Sequence, residues 1–371
     1  MIAAALERDL VAFAQRLVAT PSLPGEERDA AELVATKLVE LGYRNVAVDA
    51  LCNVVGVFGE GPPRLMFNGH LDHVPPAGMD DPYGAQIVDG HLRGRGSLDM
   101  KANVAAGVFA AAFVDAPLRG AYVFTADVRE EVDGPEGIQT LLAKGLRADY
   151  GVSGEATSLD IALGHRGKLQ FDVTVAGRSS HAATPSEGEN AVYRALPFLA
   201  ALERAGERLP SDPLLGAATL TVTAIVSAPS GSVAVIPSSC TIRVDRRYVR
   251  GETPESCRAE VEDLVERVAA EHGAHATVEL VNVYPLMVTD RNHPLVSAAS
   301  ASVEVATGRT PVLKAWRFGV NATFMNAAGI PSVGIGAGDE RLAHTADERV
   351  PVSEIIQGSC AYALLIERLC T

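Results

Sequence analysis

Five short segments of this 371-residue chain carry side chains suited to holding a divalent cation or moving a proton. In Gly69-His70-Leu71-Asp72-His73-Val74, a histidine follows directly on residues 64–68, an apolar run that reads as a strand. Open α/β sheets bind ligands at the C-terminal ends of their strands, so His70 stands where a ligand is expected. Asp72 points to the same side and can accept the other imidazole N–H, as the carboxylate behind a metal-bound histidine usually does. Taken alone, the hexapeptide also reads as a loop histidine beside an acid.

The second segment, Gly94-Arg95-Gly96-Ser97-Leu98-Asp99-Met100-Lys101, is glycine-rich and opens a helix, where Asp99 in isolation reads as an ordinary cap. Thr125-Ala126-Asp127-Val128-Arg129-Glu130-Glu131 ends a buried-looking strand with two adjacent glutamates. Single exposed glutamates are solvated surface, but two in a row at a strand end can divide roles, one ligating a metal and one moving protons. Ser153-Gly154-Glu155-Ala156-Thr157 puts another acid on that rim, and Ala343-His344-Thr345-Ala346-Asp347-Glu348 follows a late strand. The five segments share the strand-to-loop edge. Their two histidines and several carboxylates can bind two zinc-like ions around a shared aspartate and leave room for water.

The elements that must position these residues follow from hydrophobic periodicity. The first ~45 residues read as two amphipathic helices joined by the turn cluster at residues 20–25, and strands, a small-residue helix and further strands then alternate to residue 154. That rhythm indicates a helix-covered, mostly parallel sheet. Near residue 166 the style changes: residues 169–175 alternate apolar and polar, and the order β-α-β-β-α-β to residue 283 is the split βαβ (ferredoxin-like) sandwich. The expected class is α/β with an inserted α+β domain: 1–165 and 284–371 the first domain, 166–283 the insert.

Composition narrows the partners. Apolar residues make up 47% and charged residues 21%, the mix of a globular chain with a sizeable core. The formal net charge of −14 repels phosphate backbones and anionic lipid, so neither nucleic acid nor a membrane is an expected partner. Five scattered cysteines without a CxxC pair suit a reducing compartment, and charged residues at positions 7–9 break any leader-like apolar core. A cytoplasmic location is expected.

Taken in order, Gly-His-x-Asp-x-Val, Gly-Arg-Gly-x-x-Asp-Met-Lys, Glu-Glu, Gly-Glu and the late His-Thr resemble the M20 metallopeptidase and deacylase family. That family includes acetylornithine deacetylase, succinyl-diaminopimelate desuccinylase, aminoacylases and glutamate carboxypeptidases, and the likeness spans nearly the whole chain. The resemblance implies two Zn2+ ions, or Co2+ or Mn2+ in their place. His70 and Glu155 would hold one, Glu131 and His344 the other, with Asp99 between them. Glu130 would be the general base, and Asp72 would orient His70. In the insert, Gly177-Arg178-Ser179-Ser180-His181-Ala182 matches a segment whose histidine, here His181, reaches a neighbouring subunit's site and stabilises the oxyanion. Arg166, Asn190 and Arg247 match substrate-binding positions. Arg247 fits an arginine gripping a carboxylate better than Arg246, which also reads as a strand arginine facing solvent.

The chain departs from the pattern in two places. Arg129 stands where relatives often have aspartate. Residues 314–323, with Gly338-Asp339-Glu340, resemble the less characterised hydrolase branch associated with selenium metabolism, and Arg317 and Asn321 are candidates for substrate contact there. The glycine run 334–338 lacks GxxxxGK and reads as a place of close backbone approach. The expected activity is hydrolysis of the amide of an N-acyl amino acid by a homodimer. A dipeptidase or carboxypeptidase is the enzymatic alternative, and a catalytically silent binding protein the alternative of another class.

Overall fold

The structure, a computed structural model, describes residues 2–132, 136–231 and 234–371. The chain divides into two compact units: Met1–Gly164 with Met287–Trp316 and Val320–Thr371, and His165–Leu286 with Arg317–Gly319.

In the first unit, α1 (Ile2–Val18) buries Leu10, Phe13, Ala14 and Leu17, a stripe at helical spacing. Helix α2 (Arg28–Glu40) buries Ala30, Ala31, Val34 and Leu38 in the same way. Next come β1 (Arg44–Val48), β2 (Val54–Gly59) and β3 (Arg64–His70), then α3 (Ala102–Ala110), β4 (Ala121–Asp127), α4 (Glu136–Ala143), β5 (Tyr150–Ser153) and the short β6 (Ile161–Ala162). All seven residues of β4 are buried, as expected of a strand covered on both faces.

In the second unit, β7 (Gly167–Ala176) alternates buried and half-buried residues along its whole length. Helix α5 (Ala191–Gly206), β8 (Thr219–Ala228), β9 (Ser239–Tyr248), α6 (Pro254–His272) and β10 (Ala276–Tyr284) follow. The sheet order is β8-β9-β7-β10, antiparallel throughout. Leu169, Phe171, Val173 and Val175 on β7 share one core with Phe198 and Leu202 of α5 and Val261 and Val265 of α6. This is the β-α-β-β-α-β sandwich that the alternation predicted.

The chain then returns to the first unit with α7 (Pro294–Thr307), β11 (Leu313–Lys314), α8 (Ala322–Ala327), β12 (Ser332–Gly334) and α9 (Val352–Cys370). Its eight-stranded sheet runs β1-β2-β4-β3-β5-β12-β6-β11. The four central strands β4, β3, β5 and β12 are parallel, so their C-terminal ends open on one rim. There His70 lies opposite Asp127, and Asn68 and Gly334 each pair with Ser153. Sequence reading assigns no strand to β1, β6 or β11. Strand β1 is mostly exposed and shows no alternation, and the other two are two residues each. The helix expected from residue 135 starts at Glu136 in the structure, and residue 135 itself lies outside the described residues. Among the described residues no helix is long and apolar enough to cross a membrane, and every described cysteine is unpaired.

Candidate active site

The parallel rim gathers the chemistry. His70 is the last residue of β3, Glu130 and Glu131 follow β4, Glu155 follows β5, and His344 lies ten residues beyond the end of β12. Asp99 arrives from a wide, irregular turn at Ser97–Lys101 that leads into α3. Its own backbone is non-helical there (φ −121, ψ 90), which takes its side chain out of the capping role that sequence position alone suggests.

Asp99 is the centre of the arrangement. Its Oδ1 lies 3.0 Å from His70 Nε2 and its Oδ2 lies 3.1 Å from His344 Nε2, so one carboxylate faces two imidazoles with different oxygens. Glu131 Oε1 is 3.0 Å from the same His344 nitrogen, and Glu155 Oε1 is 3.6 Å from His70 Nε2. Donor atoms of His70, Asp99 and Glu131 all fall within 4.8 Å of one another.

The charges are crowded. Burial first, then the charge of Asp99, pushes Glu155 up to about 8, against the pull of His70. Glu131 is raised by burial and Asp99, with His344 opposing. Burial drives Glu130 well above the usual carboxylate range; Glu155, Glu131 and Asp99 add to it while His70 works against it. His344 is lifted to about 10 by its contacts with Asp99 and Glu131. His70 is also raised, because Asp72 and Asp99 outweigh the burial that would lower it. Buried acids that repel one another, around imidazoles whose Nε2 atoms face inward, form a donor set that divalent cations fit by both charge and chemistry.

Behind the rim, a second set of contacts holds the backbone. His70 Nδ1 is 3.0 Å from the backbone carbonyl of Asp72 and 3.6 Å from its carboxylate Oδ1. The carbonyl is therefore the nearer acceptor for the second imidazole N–H, which leaves Nε2 free to ligate. The Asp72 carboxylate instead accepts the backbone N–H of Glu131 at 2.9 Å. Burial would raise its pKa, but His70 and the amides of Glu131 and Glu130 hold it below the ordinary value.

Glu27, absent from the sequence reading, accepts the backbone N–H of Arg129 at 3.1 Å and that of Gly25 at 2.9 Å. Arg129 sits at φ 58 and His344 at φ 62, left-handed backbone at a non-glycine residue in both cases. One layer below, Asp127 is raised to about 7 by burial, although Asn68 and Asn321 both donate to it, at 2.7 Å and 3.0 Å. Asn321, expected at the substrate side, thus contacts a buried acid at the end of β4.

Two glycines are required by this geometry. Gly96 turns the Asp99 segment at φ 76. A Cβ on Gly336 would stand 2.2 Å from the carbonyl oxygen of Glu155, so the glycine run does allow close backbone approach.

The remaining expected site residues lie in the second unit. His181 is exposed, and its Nδ1 accepts the N–H of Ala183 at 3.1 Å. Asn190 caps α5, its Oδ1 accepting from Val192 at 2.9 Å. Arg166 donates to the carbonyl of Ala217 at 2.8 Å, and Arg247 clasps Asp245 at 2.7 Å. Arg246 is not a solvent-facing arginine. It is buried and paired with Glu260 at 2.9 Å and with Glu252, which accounts for a second cluster formed by Glu252, Cys257 and Glu260.

Comparison with known proteins shows the family. The uncharacterized protein YgeY of Escherichia coli (strain K12) is 29% identical over 383 residues, covering 97% of this chain and 94% of that protein. The succinyl-diaminopimelate desuccinylase of Dinoroseobacter shibae is 32% identical over 383 residues, covering 96% and 98%. The fold matches Bacillus subtilis YXEP, described as a dinuclear metal binding peptidase from the M20 family, with a TM-score of 0.76 at 17% identity over 98% of this chain and 99% of that one. The pattern that defines peptidase family M20/M25/M40 matches residues 66–368, from β3 through nearly all of α9. As its motifs implied, this chain belongs to peptidase family M20/M25/M40 and is a metal-dependent hydrolase of amide bonds.

Proposed function

We propose that the protein is a dinuclear zinc amidohydrolase that removes an acyl group from an N-acyl amino acid. The observation that carries this reading is the Asp99 carboxylate, which turns one oxygen to His70 and the other to His344. In this reading His70 and Glu155 hold one cation, Glu131 and His344 hold the other, and Asp99 is shared. Cations held there acidify a water molecule and polarise an amide carbonyl.

The chain's own groups do the rest. Glu130, raised by burial and by the neighbouring acids, would be returned to its carboxylate form by the charge of bound cations; as carboxylate it accepts a proton from the attacking water, and as acid it returns that proton to the departing amine. A ligating carboxylate is too weak a base for this, which assigns the two adjacent glutamates different tasks. Asp72 holds the turn that carries them. By the family resemblance, Arg247, Arg166 and Asn190 are assigned to the substrate and His181 to the oxyanion. A guanidinium suits the carboxylate of an amino acid product because it binds bidentately.

We assign the protein to a homodimer formed through the second unit. Its edge strand β8 leaves Ile225 and Val226 exposed, and α5 leaves Tyr193 and Leu196 exposed. Sedimentation of the purified protein tests this, and a monomer at micromolar concentration contradicts it. Unpaired cysteines suit a cytoplasmic setting.

A peptidase is the second reading, favoured by the fold match to a protein described as a dinuclear metal binding peptidase. The test is hydrolysis of a panel of N-acetyl and N-succinyl amino acids beside dipeptides, with zinc supplied and with chelator. Chelator-sensitive release of acetate or succinate supports deacylation. Cleavage confined to peptide-linked residues transfers the protein to the second reading.

A further inference from the structure

The structure points to a positioning device behind the shared aspartate. We propose that the buried pair Arg95 and Glu348 sets the two-sided orientation of Asp99 and thereby allows both metal positions to fill together. This rests on the reading of Asp99 as the shared ligand.

The argument begins with the backbone at Ser97–Lys101. A chain entering a helix exposes amide N–H groups that need acceptors, and an aspartate there ordinarily supplies one. Here the acceptor comes from far along the sequence. Glu348 Oε1 accepts the N–H of Leu98 at 3.0 Å and the N–H of Asp99 itself at 3.2 Å. Both Asp99 oxygens are thereby released to face His70 and His344. Without Glu348 those amides lose their acceptor, and an aspartate in the same turn can bend its own carboxylate back onto them.

Arg95 fixes Glu348. Its Nη1 meets Glu348 Oε2 at 2.5 Å, and its Nη2 donates to the carbonyls of Thr345 at 3.2 Å and Pro76 at 3.1 Å. Each side chain of the pair is 1% exposed. One guanidinium thus joins the loop beyond β3, the turn bearing Asp99 and the segment bearing His344. A short antiparallel pairing of Arg349–Pro351 with His91–Arg93 already lays these two chain segments side by side. His344 itself is half exposed, and besides its contacts with Asp99 and Glu131 the carbonyl of the next residue, Thr345, is held by Arg95.

The experiment compares wild type, Glu348→Gln, and the double variant Arg95→Met with Glu348→Leu. The double variant replaces a buried ion pair with apolar groups of similar length, a change that folds often tolerate. Stepwise Zn2+ affinity is read by calorimetry with the full-length protein, bound Zn2+ by mass spectrometry, and folding by thermal melting of the metal-free forms. In both variants the second Zn2+ is expected to bind ten- to a hundred-fold more weakly, so that dialysed protein keeps one equivalent, while the double variant, which also leaves two amides and two carbonyls without their partners, still melts cooperatively but below wild type. Two equivalents bound with wild-type affinity in either folded variant overturn the proposal. If both variants fail to fold, the pair is structural only and the proposal also falls. A wild type that binds fewer than two Zn2+ overturns the dinuclear reading instead, a result separable from these.

Discussion

The Asp72 carboxylate accepts the backbone N–H of Glu131 at 2.9 Å, joining the loop after β3 to the loop after β4. The same carboxylate lies 3.6 Å from His70. One residue therefore serves both loops, its carbonyl facing the proposed ligand His70 at 3.0 Å and its carboxylate holding the backbone of the glutamate pair. Asp72→Asn keeps its shape but weakens the acceptor, and a fall of about 10- to 100-fold in kcat is expected from loss of such a supporting contact. Steady-state kinetics alongside metal analysis checks it; unchanged kcat removes Asp72 from the machinery.

Glu130→Ala separates base from ligand. Removing a general base costs roughly 100- to 10,000-fold in turnover. Both equivalents of metal are expected to remain, since the adjacent Glu131 carries the contact to His344. Loss of metal, with residual chemistry little changed, would reverse the roles of the two glutamates.

Neighbouring arginines on β9 are expected to respond differently. Arg246 is buried between Glu252 and Glu260, and Arg246→Ala strands two acids against the core, at a cost of about 3–5 kcal/mol in unfolding free energy. Arg247 is partly exposed and paired with one buried aspartate, so Arg247→Ala is expected to cost less than Arg246→Ala, about 1–3 kcal/mol. Its expected effect is a raised KM for substrates bearing a free carboxylate. Urea denaturation and kinetics on carboxylate and amide forms of one substrate distinguish the two.

His73 predicts a pH effect on stability. It is fully buried; its Nε2 accepts the N–H of Ser22 at 3.0 Å, and its Nδ1 is 2.9 Å from the carbonyl of Val74. Burial first, helped by the charges of Lys101 and Arg95, pushes its pKa down to about 4. The folded imidazole stays neutral where the unfolded one, near 6.5, binds a proton. Its contribution is therefore complete above about pH 6.5 and is lost as pH falls toward 4, by up to about 3 kcal/mol. Denaturation of wild type and His73→Phe at pH 7 and pH 5 measures this, and wild type should lose more stability between them. Equal losses would contradict the assignment.

Much of the site is legible in the residues themselves. Motifs at strand ends single out His70, Glu130, Glu131 and Glu155, because parallel strands open on one rim and chemistry collects there. Asp99 reaches that rim from the turn before α3 and His344 from a loop ten residues beyond β12, rather than from strand ends as the sequence suggests. Period-two alternation in β7 marks the change of architecture at the insert. Glu27 carries no such signal. Its value lies in accepting the N–H of Arg129, a partner 102 positions away, and no local pattern encodes that contact. Asn190 shows the reverse limit: its place before an apolar helix suits a cap as well as a ligand contact, and in the structure it caps α5.

Asp99 divides the two kinds of information most clearly. Residue types and order alone determined that a carboxylate would stand at the mouth of a helix near two histidines. Only the folded chain decided that its oxygens turn toward those histidines rather than back onto its own amides, because those amides are taken by Glu348. Local sequence governs periodicity, turns and caps, which act over a few residues. The direction of a buried side chain depends on which donors and acceptors remain once distant segments have packed, and that is settled in three dimensions.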